Sequence, residues 1–320
     1  MTVCGFGALN LDFIYEVEDL RFFKCKDFEL NPGSEIVIEE KFLGNFLEKL
    51  TRFCVLKKIS PGGSASNACY MISLMGIDTL LFGVLGLDRE GEFYLSKIGN
   101  ESKEGIIRRG KTGFTYILNE RSNSLDSPDR AIALVPNSNS DLKITDIDIS
   151  KLSKCSWIHM SSFVSDSAME AQLYVKEKIM GKAGLSLDPG EIYARKGQKT
   201  LDLIEGMDIL FCSEKELCML FGSDVELSLA KALKLVKIVI VKKGKEGASF
   251  YSREESYHVK AEKIRAVDTT GAGDVLDGVF LGLYLMGQDP RIALKRAVIA
   301  ASESTKGYGR DSYPQEIPEA

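Results

Sequence analysis

Two glycines, an acid and an apolar helix stand in close order at Asp268-Thr269-Thr270-Gly271-Ala272-Gly273-Asp274, which runs into Val275-Leu276-Asp277-Gly278-Val279-Phe280. Gly271 and Gly273 carry no side chain, so the backbone can turn tightly and approach a ligand closely. At a helix start the N–H groups of Gly271, Ala272 and Gly273 lack intrahelical partners, and the helix dipole favours an anion in front of them. Asp274, in the first turn, then sets a carboxylate beside that anion hole, in reach of a substrate hydroxyl. Phosphoryl transfer asks mostly for positioning and charge stabilisation, so a carboxylate kept ionised by N–H groups suits the role of base. A bare Gly-x-Gly-Asp would read as an ordinary turn with a helix-favouring acid. The seven-residue string is far more specific.

Two further constellations suit a hydroxyl-bearing acceptor. Asn10 and Asp12 lie two apart near the end of an apolar stretch, so in an extended chain both point to one face. In Pro61-Gly62-Gly63-Ser64-Ala65-Ser66-Asn67 the glycines let a ligand near the backbone, Ser64 can cap a helix, and Asn67 offers donor and acceptor together. Ser213 and Glu216 have the spacing of a capping box. Gly105-Ile-Ile-Arg-Arg-Gly110-Lys111-Thr112 matches a P-loop letter for letter. Its interior is bulky, no strand is expected before it, and a strand rather than a helix is expected after it, so its context speaks against phosphate binding.

The elements that must hold these residues read as α/β. From Arg130 onward, strand-like runs such as Trp157-Ile-His-Met, Gly184-Leu-Ser-Leu-Asp188, Met207-Asp-Ile-Leu-Phe-Cys and Ile238-Val-Ile-Val alternate with helical stretches. That alternation predicts a parallel sheet covered by helices on both faces, with ligands at the carboxyl ends of its strands. Asn10, Asp12, Asp188 and the 213–216 segment all fall at such ends. Between residues 15 and 58, Phe42, Leu43, Phe46, Leu47 and Leu50 recur at helical spacing and predict one amphipathic helix.

With 320 residues, a net charge of −5 and no basic stripe, the chain has room for a large core and no electrostatic footprint for nucleic acid. Its apolar runs are too short and too often broken by glycine to span a bilayer. Seven scattered cysteines without a Cys-x-x-Cys pair, and only two histidines, make a zinc site improbable and reduced thiols the default. A cytoplasmic protein is expected.

The 268–274 string resembles the C-terminal signature of the ribokinase (PfkB) family of carbohydrate and nucleoside kinases. Gly62, Gly63 and Asn67 resemble its N-terminal signature, Asn10 and Asp12 its first acceptor contacts, and Gly83 through Gly91 a further strand and turn. The resemblance runs from about residue 3 to about 310. It implies one ribokinase-like three-layer α/β/α domain over 1–320, with a mainly parallel sheet and a small strand-built lid drawn from within about 13–60 and about 105–135. It implies ATP and Mg²⁺, Asp274 as base with Gly271, Ala272 and Gly273 as anion hole, and an acceptor held by Asn10, Asp12, Gly62, Gly63 and Asn67. Ser213-Glu-Lys-Glu216 is similar to the family's Asn-x-x-Glu, whose Glu reaches magnesium through water; Ser213 replaces the Asn. Gly244 is carried over as a nucleotide contact, while Lys242 stands where the family has a small Thr. Asp268 and Thr270 fall at a monovalent-cation position, which suggests K⁺. The acceptor is expected to be a small sugar or polyol, with a nucleoside second. A non-catalytic sugar- or nucleotide-binding regulator is the reading of a different class. A homodimer through the lid is the assembly the resemblance suggests.

Overall fold

The computed structural model describes residues 1–121 and 130–319; the part of the expected lid at 122–129 lies outside them. In chain order the strands are β1 (Thr2–Phe6), β2 (Asn10–Val17), β3 (Glu35–Val37), β4 (Cys54–Pro61), β5 (Asp78–Leu85), β6 (Ser102–Arg108), β7 (Gly113–Glu120), β8 (Arg130–Val135), β9 (Trp157–Ser161), β10 (Gly184–Asp188), β11 (Ile209–Ser213), β12 (Ile238–Lys242), β13 (Ala248–Tyr251) and β14 (Ser256–Val259). Among the described residues they form two sheets. The larger has the order β14-β13-β12-β11-β10-β9-β1-β5-β6. It is parallel from β12 to β6 and ends in an antiparallel hairpin on the β12 side.

Both faces of this sheet are covered, which is why its strands are apolar throughout rather than alternating. On one side Phe6, Met160 and Leu187 pack with Met169 and Val175 of the helix Asp166–Ile179. On the other, Val3, Phe211 and Ile240 pack under Val275, Val279 and Phe280 of the helix Ala272–Leu285, flanked by the helices Ser64–Leu74 and Pro290–Ser304. The ribokinase-like three-layer fold expected from the sequence is therefore what forms. β1 lies between β5 and β9, so the chain leaves it in opposite directions and opens a crevice at the strand ends.

The smaller sheet has the order β3-β8-β7-β2-β4. Its outer face is closed by the expected amphipathic helix, Glu40–Phe53, and by the 20–30 segment. The Phe46 ring lies 5.8, 5.6 and 5.3 Å from those of Phe23, Phe28 and Tyr116. The inner face carries Asn10, Asp12, Thr115, Ile117, Ile132 and Leu134 over the strand ends of the large sheet.

Two details depart from the sequence reading. Asn10 and Asp12 do not stand at the carboxyl end of a strand of the large sheet: the chain breaks at residues 7–9, and they open β2 in the small sheet. Close packing against β9 marks the break, because a Cβ on Gly7 would lie 2.1 Å from the Ser161 Oγ. Residues 105–112 run from β6 through a turn into β7, so Lys111 has no helix behind it and the P-loop match is accidental.

Phe46→Ala removes the ring that ties helix to sheet. A loss of about 3–5 kcal/mol is expected for a buried Phe, read as a lowered denaturation midpoint. An unchanged midpoint would mean that the helix is not anchored there.

Candidate active site

The helix Ala272–Leu285 starts at Gly271, whose φ of +78° lies in the left-handed region. Glycine is required twice over, since a Cβ there would also sit 1.9 Å from the buried Tyr313 hydroxyl. Asp274 Oδ2 accepts a 2.7 Å hydrogen bond from Asn67 Nδ2, at the start of the helix Ser64–Leu74. The Asn67 amide is oriented in turn, because Arg310 Nε donates to its Oδ1 at 2.8 Å. Arg310 is only 5% exposed. It donates to Ser66 Oγ (2.6 Å) and, through its backbone N–H, to Ser60 Oγ (3.1 Å), and it pairs with the buried Glu101 at 3.4 Å. Burial raises the Asp274 carboxyl above its ordinary range, and the Asn67 bond opposes the shift.

Asn10 and Asp12 line the same crevice as this carboxylate. Asn139 locks the first: its Nδ2 donates to Asn10 Oδ1 (2.8 Å) and to the Leu9 carbonyl (3.0 Å), and its Oδ1 accepts from Leu9 N (3.2 Å). With its oxygen taken, Asn10 presents its NH₂ as donor. Asp12 is 9% exposed, and its Oδ1 has no hydrogen-bond partner. Burial pushes its carboxyl up to about 7, against a hydrogen bond from Thr115. The two glycines make room: a Cβ on Gly62 would lie 2.1 Å from the Asp12 carboxylate, and one on Gly63 (φ +95°) 2.0 Å from the Ala8 carbonyl. Gly63 and Asn67 line the cleft. Gly62 does not, and acts by letting Asp12 in.

The cleft has a volume of about 1330 Å³ and runs from Asn10 and Asp12, past Gly271 to Asp274, to a far end walled by Ala261 to Ala266, Val298 and Ala301. The ends of β10, β11 and β12 bring Asp188, Ser213 and Lys242 into it, with Glu216 and Gly244 beside them. Ser213 and Glu216 do form a capping box: Ser213 N donates to Glu216 Oε2 at 2.7 Å, and Glu216 N to Ser213 Oγ at 3.2 Å. Burial, then the charge of Asp188, raises the Glu216 carboxyl. Lys242 Nζ donates to Asp188 Oδ2 (2.8 Å) and to Asp277 Oδ2 (3.1 Å). Burial opposes its charge, but the two carboxylates outweigh that and hold the ammonium well above its usual range. Behind Asp188, His159 is buried and pushed down to about 4, hence neutral, and it shares Ser186 Oγ with Trp157.

Asp268 Oδ1 accepts the Thr270 N–H at 2.9 Å. Asp268 Oδ2, Thr270 Oγ1 and both polar side-chain atoms of Asn119 are buried without hydrogen-bond partners. From the small sheet, Arg130 donates to Thr269 Oγ1 at 3.0 Å and so latches that sheet to the same loop. Sequence reading missed Asn139, Arg310 and Arg130, since each lies far along the chain from the group it orients and belongs to no short pattern. Lys242 was visible, but only as a mismatch.

Among the described residues no cluster of three or more His, Cys, Asp or Glu could cage a metal. The donors facing the cleft beside the anion hole are carboxylate oxygens, Asp188 and Glu216. These suit magnesium, which keeps most of its waters and shares one or two carboxylates with substrate phosphates.

Residues 57–316 match the model of the pfkB family carbohydrate kinases. An uncharacterized sugar kinase from Archaeoglobus fulgidus is 29% identical over 253 residues, covering 77% of this chain and 99% of that protein. Adenosine kinase from Sinorhizobium meliloti superposes with a TM-score of 0.85 at 19% identity, over 99% of this chain and 96% of its own. A putative ribokinase II from E. coli, solved with ATP and Mg²⁺, gives 0.75 at 21% identity, over 96% and 93%.

Arg310→Met is expected to destabilise by about 3–5 kcal/mol, because it leaves Glu101 buried and unpaired, and to lower kcat by releasing the Asn67 amide. Adding Glu101→Gln should restore the denaturation midpoint but not kcat. Recovery of both would reduce Arg310 to a structural role.

Proposed function

Since this chain belongs to the pfkB family of carbohydrate kinases and is an ATP-dependent phosphotransferase with an alcohol acceptor, we propose that Asp274 takes the proton of a hydroxyl on a neutral sugar held by Asn10 and Asp12. The observation that carries this reading is the Asn67–Asp274 hydrogen bond of 2.7 Å beside the 271–273 turn, with Asn10 and Asp12 facing it across one cleft. Asn10 offers a donor and Asp12 an acceptor, as two neighbouring hydroxyls require. The walls around them are aliphatic, from Ile117, Ile132, Leu134 and Val164, which suits the C–H face of a sugar better than stacking of a nucleobase. Arg130, which lines the cleft, donates to Thr269 Oγ1.

The residues divide the work. Asn10 and Asp12 orient the acceptor and Asn67 aims the base. Asp274 receives the proton as the hydroxyl oxygen closes on phosphorus, and the N–H groups of Gly271, Ala272 and Gly273 stabilise the charge on the transferred group. ATP extends toward Gly244, Ala301 and the 261–266 wall. Glu216 and Asp188 are the carboxylates that would hold a magnesium ion brought in with the phosphates, which would supply charge neutralisation there. A mere sugar- or nucleotide-binding regulator would have no use for a base hydrogen-bonded at the anion hole.

The small sheet acts as a lid over a single catalytic domain and excludes water that would otherwise compete for the phosphate. The orphaned oxygens of Asp268 and Thr270 suit a weakly hydrated monovalent cation such as K⁺ next to the anion hole. With its outer face already covered by the helix Glu40–Phe53, the lid has its exposed edge strand β4 left for a homodimer, where Val55 and Leu56 are 59% and 44% exposed. None of the helices is long and apolar enough to cross a membrane among the described residues, in keeping with a cytoplasmic kinase.

Asp274→Asn should lower kcat by about 10²–10⁴-fold, the usual share of a general base, with ATP and sugar still bound in calorimetry. Full turnover would remove Asp274 as the base. Asp12 must be ionised to accept from the sugar, and burial raises its carboxyl to about 7. Hence kcat/KM for the sugar should rise with pH up to about 7 and then flatten. In Asp12→Asn the limb near pH 7 should vanish and leave only the one set by ionisation of Asp274; an unmoved limb near pH 7 would assign it to another group.

A further inference from the structure

Lys242 departs from the family's small Thr, and neither the base nor the acceptor contacts require it. Its ammonium is nevertheless held in one place: 15% exposed, it donates to Asp188 Oδ2 and Asp277 Oδ2. Asp277 lies three residues beyond Asp274 on the same helix, so both carboxylates share a helix face. Asp277 is 1% exposed, and its Oδ1 has no hydrogen-bond partner. The decisive distance is to the anion hole. A Cβ placed on Gly273 would lie 3.3 Å from Lys242 Nζ, so the ammonium stands beside the last residue of the 271–273 turn, and both line the cleft.

A plain structural account would have Lys242 neutralise two buried acids. Taken alone that is a weak reason to keep an ion triad, since buried ion pairs are often matched or bettered in stability by apolar packing. Nor does it explain why the charge faces the cleft at the one point where a phosphoryl group must pass. Three groups converge there: the 271–273 N–H donors, the base and the ammonium.

We propose that Lys242 is a further catalytic residue, a fixed cation placed by Asp188 and Asp277 against the phosphoryl group in transit. The proposal deepens the kinase reading and rests on it. In the step, the acceptor O–H bond breaks and its proton goes to Asp274. The acceptor oxygen bonds to phosphorus, and the bond from phosphorus to the leaving oxygen breaks with its electron pair staying on ADP. Lys242 gives up no proton. Its charge offsets the negative charge on the transferred oxygens, a task that a point charge performs without bidentate geometry. Asp188 and Asp277 are positioning residues: they keep the side chain from swinging to solvent.

The test compares wild type with Lys242→Thr/Asp277→Asn, which removes one charge of each sign together, and with Lys242→Arg. Wild-type turnover and its loss in Asp274→Asn check the kinase reading separately. The double variant should keep its sugar KM, lose about 10²–10³-fold in kcat, as when an oxyanion donor is removed, and bind ATP but not adenosine more weakly in magnesium-free calorimetry. Lys242→Arg should recover part of kcat. A folded double variant with wild-type kcat and ATP affinity overturns the proposal. Should the double variant fail to fold, the ¹⁵Nζ resonance of Lys242 in the wild-type protein decides. It should shift on addition of ADP, magnesium and aluminium fluoride, and an unmoved resonance overturns the proposal equally.

Discussion

Everything in this protein depends on burying charge at the start of one helix. The crevice collects Asp12, Asp188, Glu216, Asp274 and Asp277 within a few residues' reach of Gly271 to Gly273. Carboxylates taken out of water and set near one another repel and resist ionisation. Burial accordingly raises Asp12, Glu216, Asp274 and Asp277, while Asp188 alone is held low by Lys242. Two cations, the half-buried Lys242 and the buried Arg310, make the arrangement tenable. Lys242 counters the acids beneath the anion hole, and Arg310 aims Asn67 at the base from behind. Approach of a polyphosphate would add negative charge to the same place, which is why the helix N-terminus and the lysine stand on the side it must approach.

The scaffold meets that constraint by division of labour. The parallel sheet delivers Asp188, Ser213 and Lys242 from the carboxyl ends of three adjacent strands, so their spacing is set by sheet geometry rather than by loops. The small sheet delivers Asn10, Asp12 and Thr115 from above. It is fastened to the body by Arg130 on Thr269 and made rigid by the helix packed on its outer face. On the proposed reading, acceptor contacts ride on one sheet and phosphate contacts on the other. Relative movement of the two sheets would assemble or open the site as a unit.

Much of this was legible in the chain. The alternation of apolar strands and helices after Arg130 foretold the parallel sheet, and Phe42, Phe46 and Leu50 foretold the one lid helix. The 271–274 string announced a glycine-started helix with a carboxylate in its first turn, and that is what forms, with the Ala272 N–H reaching back to the Thr269 carbonyl at 3.4 Å. The break between β1 and β2 was not legible. Residues 2–15 are largely apolar, and the close approach of Gly7 to Ser161 that marks the break joins residues far apart along the chain. Gly62 and Gly63 were right as glycines for a different reason: Gly62 admits the Asp12 carboxylate, which no local pattern records. Arg310 and Asn139 orient side chains 243 and 129 residues away, and such pairings exist only once the chain is folded.

The central claim is that this cleft phosphorylates a hydroxyl of an uncharged sugar. It is tested most directly by an ATP-to-ADP coupled assay with magnesium across neutral pentoses and hexoses, their phosphorylated forms, and nucleosides. The account predicts turnover on one or a few neutral sugars, with phosphorylated sugars and nucleosides poorer by at least about tenfold in kcat/KM, the worth of roughly one hydrogen bond at the acceptor. Preferred turnover of a nucleoside or of a sugar phosphate would contradict it.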